Sequence, residues 1–472
     1  MRNARIVYLW ANRHSGWGLL AAAGALFVLA LAAVGRGMIH PEAYLFIPHY
    51  LNPERSFLQK IFDPRGTDWG YYQARELSYV FDYLDCQVIA RSVDHGVPHV
   101  LSLSHFLFLG LAATIGWQLA RREWRLPGIV AALGVGVFLS TPAVLLGGSF
   151  FRSAKAGVVL ALSVLVAGIL RSRRQPVSGG AWVLLAGTLM GLFDRQGFAL
   201  LLVGALWLAL GIARDRSLKP AALALTAACV AVALYNHAVG PRLIRHFSGI
   251  GPSFEFQHLP WDQVRPLAGT LALYSPTLVL DDMRFLFGNV PALAAAALLI
   301  GGVWSMARAL GSGEPAPKWF AVVWCSLLPL GLLLIKAAMI LRLPAMLNLD
   351  YRRIYYGLPS VALLWILALG GIALWVRRQP RRARWAALAL LTVLLSNLAS
   401  LVEHRAIAAR GMYLEHHRRS PRILAALGRL DSLSVGDLGA PYYPASVNEP
   451  VENDGMVRLF QARRVAQKHD QP

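Results

Sequence analysis

Two sets of residues in this chain are spaced for chemistry, and they carry opposite charge. The acidic set lies in one stretch, DPRGTDWGYYQARELSYVFDYLDCQVIARSVDH, from Asp63 to His95. Asp68 sits in a glycine- and aromatic-rich turn, GTDWGYY, and Glu76, Asp82 and Asp85 follow it. The cationic set is dispersed: Arg75 inside the same stretch, Arg152 and Lys155 in GGSFFRSAK, Arg195 beside Asp194 in FDRQGF, then Lys336, Arg352 and Arg353. A carboxylate close to apolar surroundings holds its proton more tightly than in water, which suits a general base working near neutral pH. Guanidinium and ammonium groups bind phosphate and stabilise charge developing on a departing phosphate oxygen. Asp68 is the first choice for the base, with Asp82 and Glu76 as alternatives. Arg75, Asp85, Arg152, Lys155, Asp194, Arg195, Lys336, Arg352 and Arg353 are the candidate substrate-binding residues, the cations among them for phosphate. Trp69 and Tyr72 are expected either to stack on a substrate ring or to anchor a membrane interface, the commoner role for such aromatics.

The acids need an element to hold them. On a helical wheel from Arg75, the residues Leu77, Val80, Phe81, Leu84 and Val88 fall within about a third of the circumference, while Arg75, Ser78, Asp82 and Asp85 share the opposite side. The pattern predicts a helix lying flat in a membrane interface, apolar face down, with its carboxylates offered at the surface; a merely solvated polar face is the plain alternative.

That helix lies between long apolar runs. The chain has 472 residues, 56% of them hydrophobic and 15% charged, with a positive mean hydropathy. The composition predicts an all-α polytopic membrane protein. The net charge of +21 does not point to nucleic acid, because the basic residues sit in short clusters between apolar runs, as the positive-inside rule requires. About eleven spans are expected from run length: 17–35, 98–120, 128–147, 156–170, 181–193, 197–213, 220–239, 286–307, 319–341, 354–376 and 385–403, the fourth and fifth being short. The connections RREWR, RSRR, RDRSLK, GSGEPAPK and RRQPRRAR fall on the inner side. The longer, acid-bearing connections 36–97 and 240–285 fall outside. The expected organisation is a membrane core of residues 1–403 that includes both outer loops, with interfacial helices in the first, and a small extracytoplasmic element over 404–472. The N-terminus is then cytoplasmic, the C-terminus extracytoplasmic, and the membrane a cell inner (plasma) membrane. The first apolar run lacks a small-residue cleavage site and is read as an anchor.

Other chemistries find little support. The three cysteines, Cys86, Cys229 and Cys325, make neither a disulfide framework nor a zinc pattern. His246 and His258 match no standard metal spacing, so a divalent metal is not indicated. There is no phosphate-binding loop, nucleotide fingerprint or serine-nucleophile elbow. The expected span centres are nearly free of charge, whereas coupled transporters place ionisable or broken-helix sites there.

Ten or more spans, a long first outer loop bearing acids on an interfacial helix, and basic residues in later outer loops resemble the GT-C-type integral membrane glycosyltransferases. The resemblance is one of architecture and covers roughly residues 1–403. It implies a polyprenyl-phosphate-linked sugar as donor, a glycan, lipid or protein as acceptor, and an inverting transfer at the extracytoplasmic face in cell-envelope polysaccharide synthesis. Members of that family commonly carry their catalytic carboxylate soon after the first span; here Asp63 and Asp68 lie about thirty residues beyond it. A lipid-linked glycan transporter or flippase, and a non-catalytic envelope assembly protein, are the other readings.

Overall fold

The computed structural model describes residues 41–63, 75–96, 101–141, 144, 152–212, 216–249, 358–378 and 381–410, together with 16, 18, 19, 21, 24, 25, 427 and 460. The expected spans 286–307 and 319–341, most of 17–35, and the site candidates Asp68, Trp69, Tyr72, Lys336, Arg352 and Arg353 lie outside these residues.

Among the described residues the chain is helical and contains no strand. Helices α1 (Pro41–Leu51), α2 (Phe57–Ile61) and α3 (Glu76–Asp94) belong to the first long connection. Next come α4 (Leu103–Arg122), α5 (Gly128–Leu139), α6 (Ala154–Ser172), α7 (Pro176–Phe193) and α8 (Arg195–Ile212). A 3₁₀ turn at Arg216–Leu218 leads into α9 (Lys219–Leu234), a π turn (Tyr235–Val239) and α10 (Gly240–Ser248). The last two are α11 (Leu358–Arg378) and α12 (Arg382–Arg410). Among the described residues, four segments are long and apolar enough to cross a membrane: Leu103–Arg122, Ala154–Ser172, Pro176–Phe193 and Arg216–Ser248. This is the make-up of an all-α membrane protein. The two spans expected to be short are full-length helices, of 19 and 18 residues, because the basic and glycine-rich ends omitted from an apolar count continue the helix.

The long helices pack through small residues, as helices in lipid do when backbones must approach closely. Gly187 and Gly191 of α7 face Ala228 and Val232 of α9, and Gly168 of α6 faces Val183 of α7. α12 packs on α5, where Asn397 donates from Nδ2 to the carbonyl of Val137 (3.3 Å) and to Ser140 Oγ (3.0 Å).

Chain direction sorts the bundle into two ends. One carries Arg121, Arg122, Arg171, Arg173 and Arg174, with Arg174 bridging Glu123 at 3.1 Å across the last turns of α4 and α6. The other carries the starts of α4 and α6, the end of α7 and the start of α8, and α3 packs there against α4, α6 and α7. Beside it, Phe46, Ile47, Tyr50, Ile61, Tyr79, Cys86, Ile89 and Val93 form a second, smaller core. Leu427 and Phe460, each 1% exposed, are buried in that core. These two residues, both beyond α12 in sequence, thus share a core with the first long loop.

Candidate functional site

The surprise is the orientation of α3. Glu76, Ser78, Asp82 and Asp85 are buried, whereas Leu84 and Val88 are 47% and 40% exposed. The helix is amphipathic as its sequence predicts, but its polar side faces the protein. Leu77 and Phe81, on the apolar side, lie against the membrane-helix core, where the Phe81 ring meets those of Phe108 (4.7 Å) and Phe193 (5.9 Å). Buried charge is costly unless it is paired and hydrogen-bonded, and three joints supply the partners.

The first joint is a buried ion triad. Arg75, just before α3, places Nε 2.7 Å from Asp194 Oδ2. Lys155, in the first turn of α6, donates from Nζ to Asp194 Oδ1 at 2.5 Å. Asp194 is the single residue between α7 and α8, and its Oδ1 also accepts from the backbone N–H of Gln196 at 2.9 Å. All three charged side chains are 1–2% exposed. Burial pushes the Asp194 carboxyl up, but Arg75 and Lys155 together outweigh it and hold the group far below the usual carboxylate range. Asp194 thus takes its partners from two other elements, not from its neighbour Arg195.

The second joint is Asp82 on the start of α6. Ser153, the residue before the helix, donates to Asp82 Oδ1 from both its backbone N–H and its hydroxyl, each at 3.0 Å. A carboxylate here fills the role of an N-cap and meets the positive end of the helix dipole. Burial nevertheless raises Asp82 to about 7, partly offset by the Ser153 bonds and by Arg152. The Arg152 guanidinium lies 4.6 Å from the centre of the Phe46 ring.

The third joint repeats the device one turn on. Asp85 accepts from Ser102 Oγ (2.9 Å), Ser104 N–H (3.0 Å) and Ser104 Oγ (3.0 Å) at the start of α4. Burial again dominates and raises the group to about 6. Two carboxylates three residues apart on α3 therefore cap two different long helices.

The structure thus brings together Arg75, Glu76, Asp82, Asp85, Arg152, Lys155 and Asp194. Glu76, the first residue of α3, is 6% exposed and within electrostatic reach of Tyr235; Arg195 is half-buried at the start of α8. The acids and cations among these meet in closed joints: Arg75 and Lys155 bind Asp194, and the α3 aspartates bind serines. Sequence reasoning passed over Ser102, Ser104 and Ser153. Their signal was there, since each stands just at or before an apolar run where a helix N-cap belongs. Among the described residues no group of three or more His, Cys, Asp or Glu is placed to hold a metal.

Asp63 and Arg75, the described residues on either side of 64–74, are both held in place. On one side Asp63 is bonded by Arg55 at 2.7 Å and Ile61 is in the loop core; on the other stands the buried Arg75. The chain matches no protein-family model, and no curated protein is significantly similar to it.

Proposed function

We propose that this protein is an inverting membrane glycosyltransferase that moves a sugar from a polyprenyl-phosphate donor to an acceptor at the face carrying α3. In this reading it is a multi-pass plasma-membrane protein of about eleven spans, with that face extracytoplasmic and the arginine-rich end cytoplasmic. The observation that carries the reading is the fixing of Asp63 by Arg55 and of Arg75 by Asp194, which hold the two residues that flank the acidic, aromatic-rich stretch 64–74. Binding and catalytic residues are commonly held on loops that a rigid scaffold positions.

Asp68, in the sequence between those two residues, is the base. Asp82 has a suitable proton affinity, but its Oδ1 is committed to Ser153 and the residue is 4% exposed, so an acceptor hydroxyl has little access to it. In the transfer, the acceptor oxygen bonds to the anomeric carbon as the bond from that carbon to the phosphate oxygen breaks. The hydroxyl proton passes to Asp68, and the departing electron pair stays on the phosphate. Arg195, Arg352 and Arg353 are assigned to the phosphate, since Arg75 and Lys155 are tied to Asp194.

The test uses the full chain in lipid nanodiscs with radiolabelled prenyl-phosphate sugars and membrane-extracted acceptors. Asp68→Asn is expected to lower transfer by about 10²–10⁴-fold, the usual contribution of a general base, at normal protein abundance. Undiminished transfer in that variant removes Asp68 from the mechanism. Donor movement across the bilayer without transfer would favour a flippase instead.

A further inference from the structure

The turn that leaves α4 holds an arginine in a conformation that suits glycine. Among the described residues, Arg125 is the one non-glycine residue with a positive φ, 53°. That is the left-handed region, which a residue bearing a Cβ enters only at a cost. The turn imposes it. The N–H of Trp124 donates to the carbonyl of Leu119 (3.2 Å), and the N–H of Leu126 to that of Ala120 (3.0 Å). Leu126 is thereby seated in the membrane-helix core at 4% exposure. The backbone at 125 therefore favours glycine. The arginine side chain is exposed, so packing does not select it either. A residue held against its own backbone preference points to function, and what Arg125 offers is a guanidinium.

Neighbouring elements share that charge. Arg174 bridges Glu123 at 3.1 Å and so joins the end of α6 to the end of α4. The Ser172 backbone lies against Gly179 in the first turn of α7, and Gly180 faces the carbonyl of Pro220 at the start of α9. Arg122, Arg125, Arg171, Arg174, Arg216 and Lys219, all exposed, thus gather at one end of the bundle. Among the described residues Glu123 is the only carboxylate there, and Arg174 already holds it.

Tryptophans mark the depth of this end. The Arg121 guanidinium lies 5.5 Å from the centre of the Trp117 ring. Trp182 and Trp385 are 44% and 67% exposed. Each of the three stands within about two turns of a helix end on this side. Exposed tryptophan collects at the headgroup level of a bilayer, and basic clusters between helices at that level bind anionic headgroups. The guanidinium fork matches the oxygens of a phosphodiester.

We propose that this end of the bundle binds an anionic phospholipid, its phosphodiester held by Arg122 and Arg125 beside the Glu123–Arg174 bridge. The inference stands apart from the transferase reading, which concerns the opposite end.

The test reconstitutes the full chain in phosphatidylcholine nanodiscs containing a minor share of phosphatidylglycerol and counts the lipid retained in native mass spectrometry. Wild type is compared with Arg125→Gly, Arg122→Gln and Arg91→Gln, the last an exposed cation of α3 at the other end. Wild type should retain phosphatidylglycerol in preference to phosphatidylcholine. Arg125→Gly and Arg122→Gln should each weaken that retention about fivefold, the worth of one cation at an anionic surface, and Arg91→Gln should not. Arg125→Gly should also unfold at the same temperature as wild type or higher, because glycine adopts this φ without strain. Retention of phosphatidylglycerol no better than of phosphatidylcholine overturns the proposal. So does retention in Arg125→Gly within about twofold of that in Arg91→Gln, or a lower unfolding temperature in Arg125→Gly, which would make the arginine a structural part of the turn. If Arg122→Gln fails to accumulate, Arg125→Gly decides alone.

Discussion

Replacing Asp194 with asparagine removes one charge from a joint that holds two cations. In the native chain Arg75 and Lys155 both lie on this carboxylate, and neither side chain is more than 2% exposed. The substitution leaves two buried positive groups sharing a neutral amide. Breaking a buried pair in this way costs about 3–5 kcal/mol. Because Arg75 precedes α3, that loss falls on the docking of α3 against the bundle. At about 1.4 kcal/mol per factor of ten, opening of α3 should rise roughly 10²–10³-fold or more. Cys86 supplies the assay. It lies on α3, is 0% exposed, and its thiol is pushed well above its usual range, first by burial and then by Asp82 and Asp85, so maleimide reaches a reactive thiolate only when α3 opens. With Cys229 and Cys325 replaced by serine, the labelling rate of Cys86 in nanodiscs reports the opening equilibrium. Asp194→Asn should accelerate it by two orders of magnitude or more. Lys155→Met combined with Asp194→Asn should be less than additive, since the two residues share one interaction. A Cys86 rate within threefold of wild type in Asp194→Asn would refute the claim that the triad holds α3.

Other outcomes follow from the same contacts. Asp82 and Asp85 are raised in the docked state to about 7 and about 6, from an ordinary 3.8, so docking takes up protons. Their contribution is complete below about pH 4 and is lost as pH rises through 6 and 7. Hydrogen exchange of α3 amides, corrected for intrinsic rates, should therefore show faster opening at pH 8 than at pH 5, with the difference reduced in Asp82→Asn. Asp194, shifted downward, stays ionised across this range and does not cancel the trend. Phe460→Ala removes a ring that is 1% exposed from the loop core; it should destabilise that core by about 3–5 kcal/mol and increase proteolysis of residues 41–95. Gly197→Ala sets a methyl against the backbone carbonyl of Met190, which cannot swing aside as a side chain could. It should displace the start of α8 and raise Cys86 labelling, whereas Gly18→Ala, with open space around it, should not.

Which parts of this arrangement were legible in the sequence depends on what sets them. Helix positions were readable because run length and composition decide them; α4, α6, α7 and α9 fall where apolar runs predict spans. The amphipathicity of α3 was readable too, since the spacing of Leu77, Phe81, Leu84 and Val88 is local. Which side faces inward was not. A hydrophobic period gives the direction of the moment, not the polarity of what lies opposite, and next to a membrane the usual rule that apolar side chains face the protein loses its force. Beside a bundle whose helix N-termini present unmade N–H groups, the favourable face for α3 to turn inward is the one bearing carboxylates. Ser102, Ser104 and Ser153 mark those N-termini in the sequence, but only the packed chain shows that Asp82 and Asp85, three residues apart, meet both. The same logic explains why Asp194 could be singled out in the sequence while its partners could not. Arg75 lies 119 positions earlier and Lys155 39 positions earlier, and only the return of α6 and α7 to one end of the bundle brings them within reach.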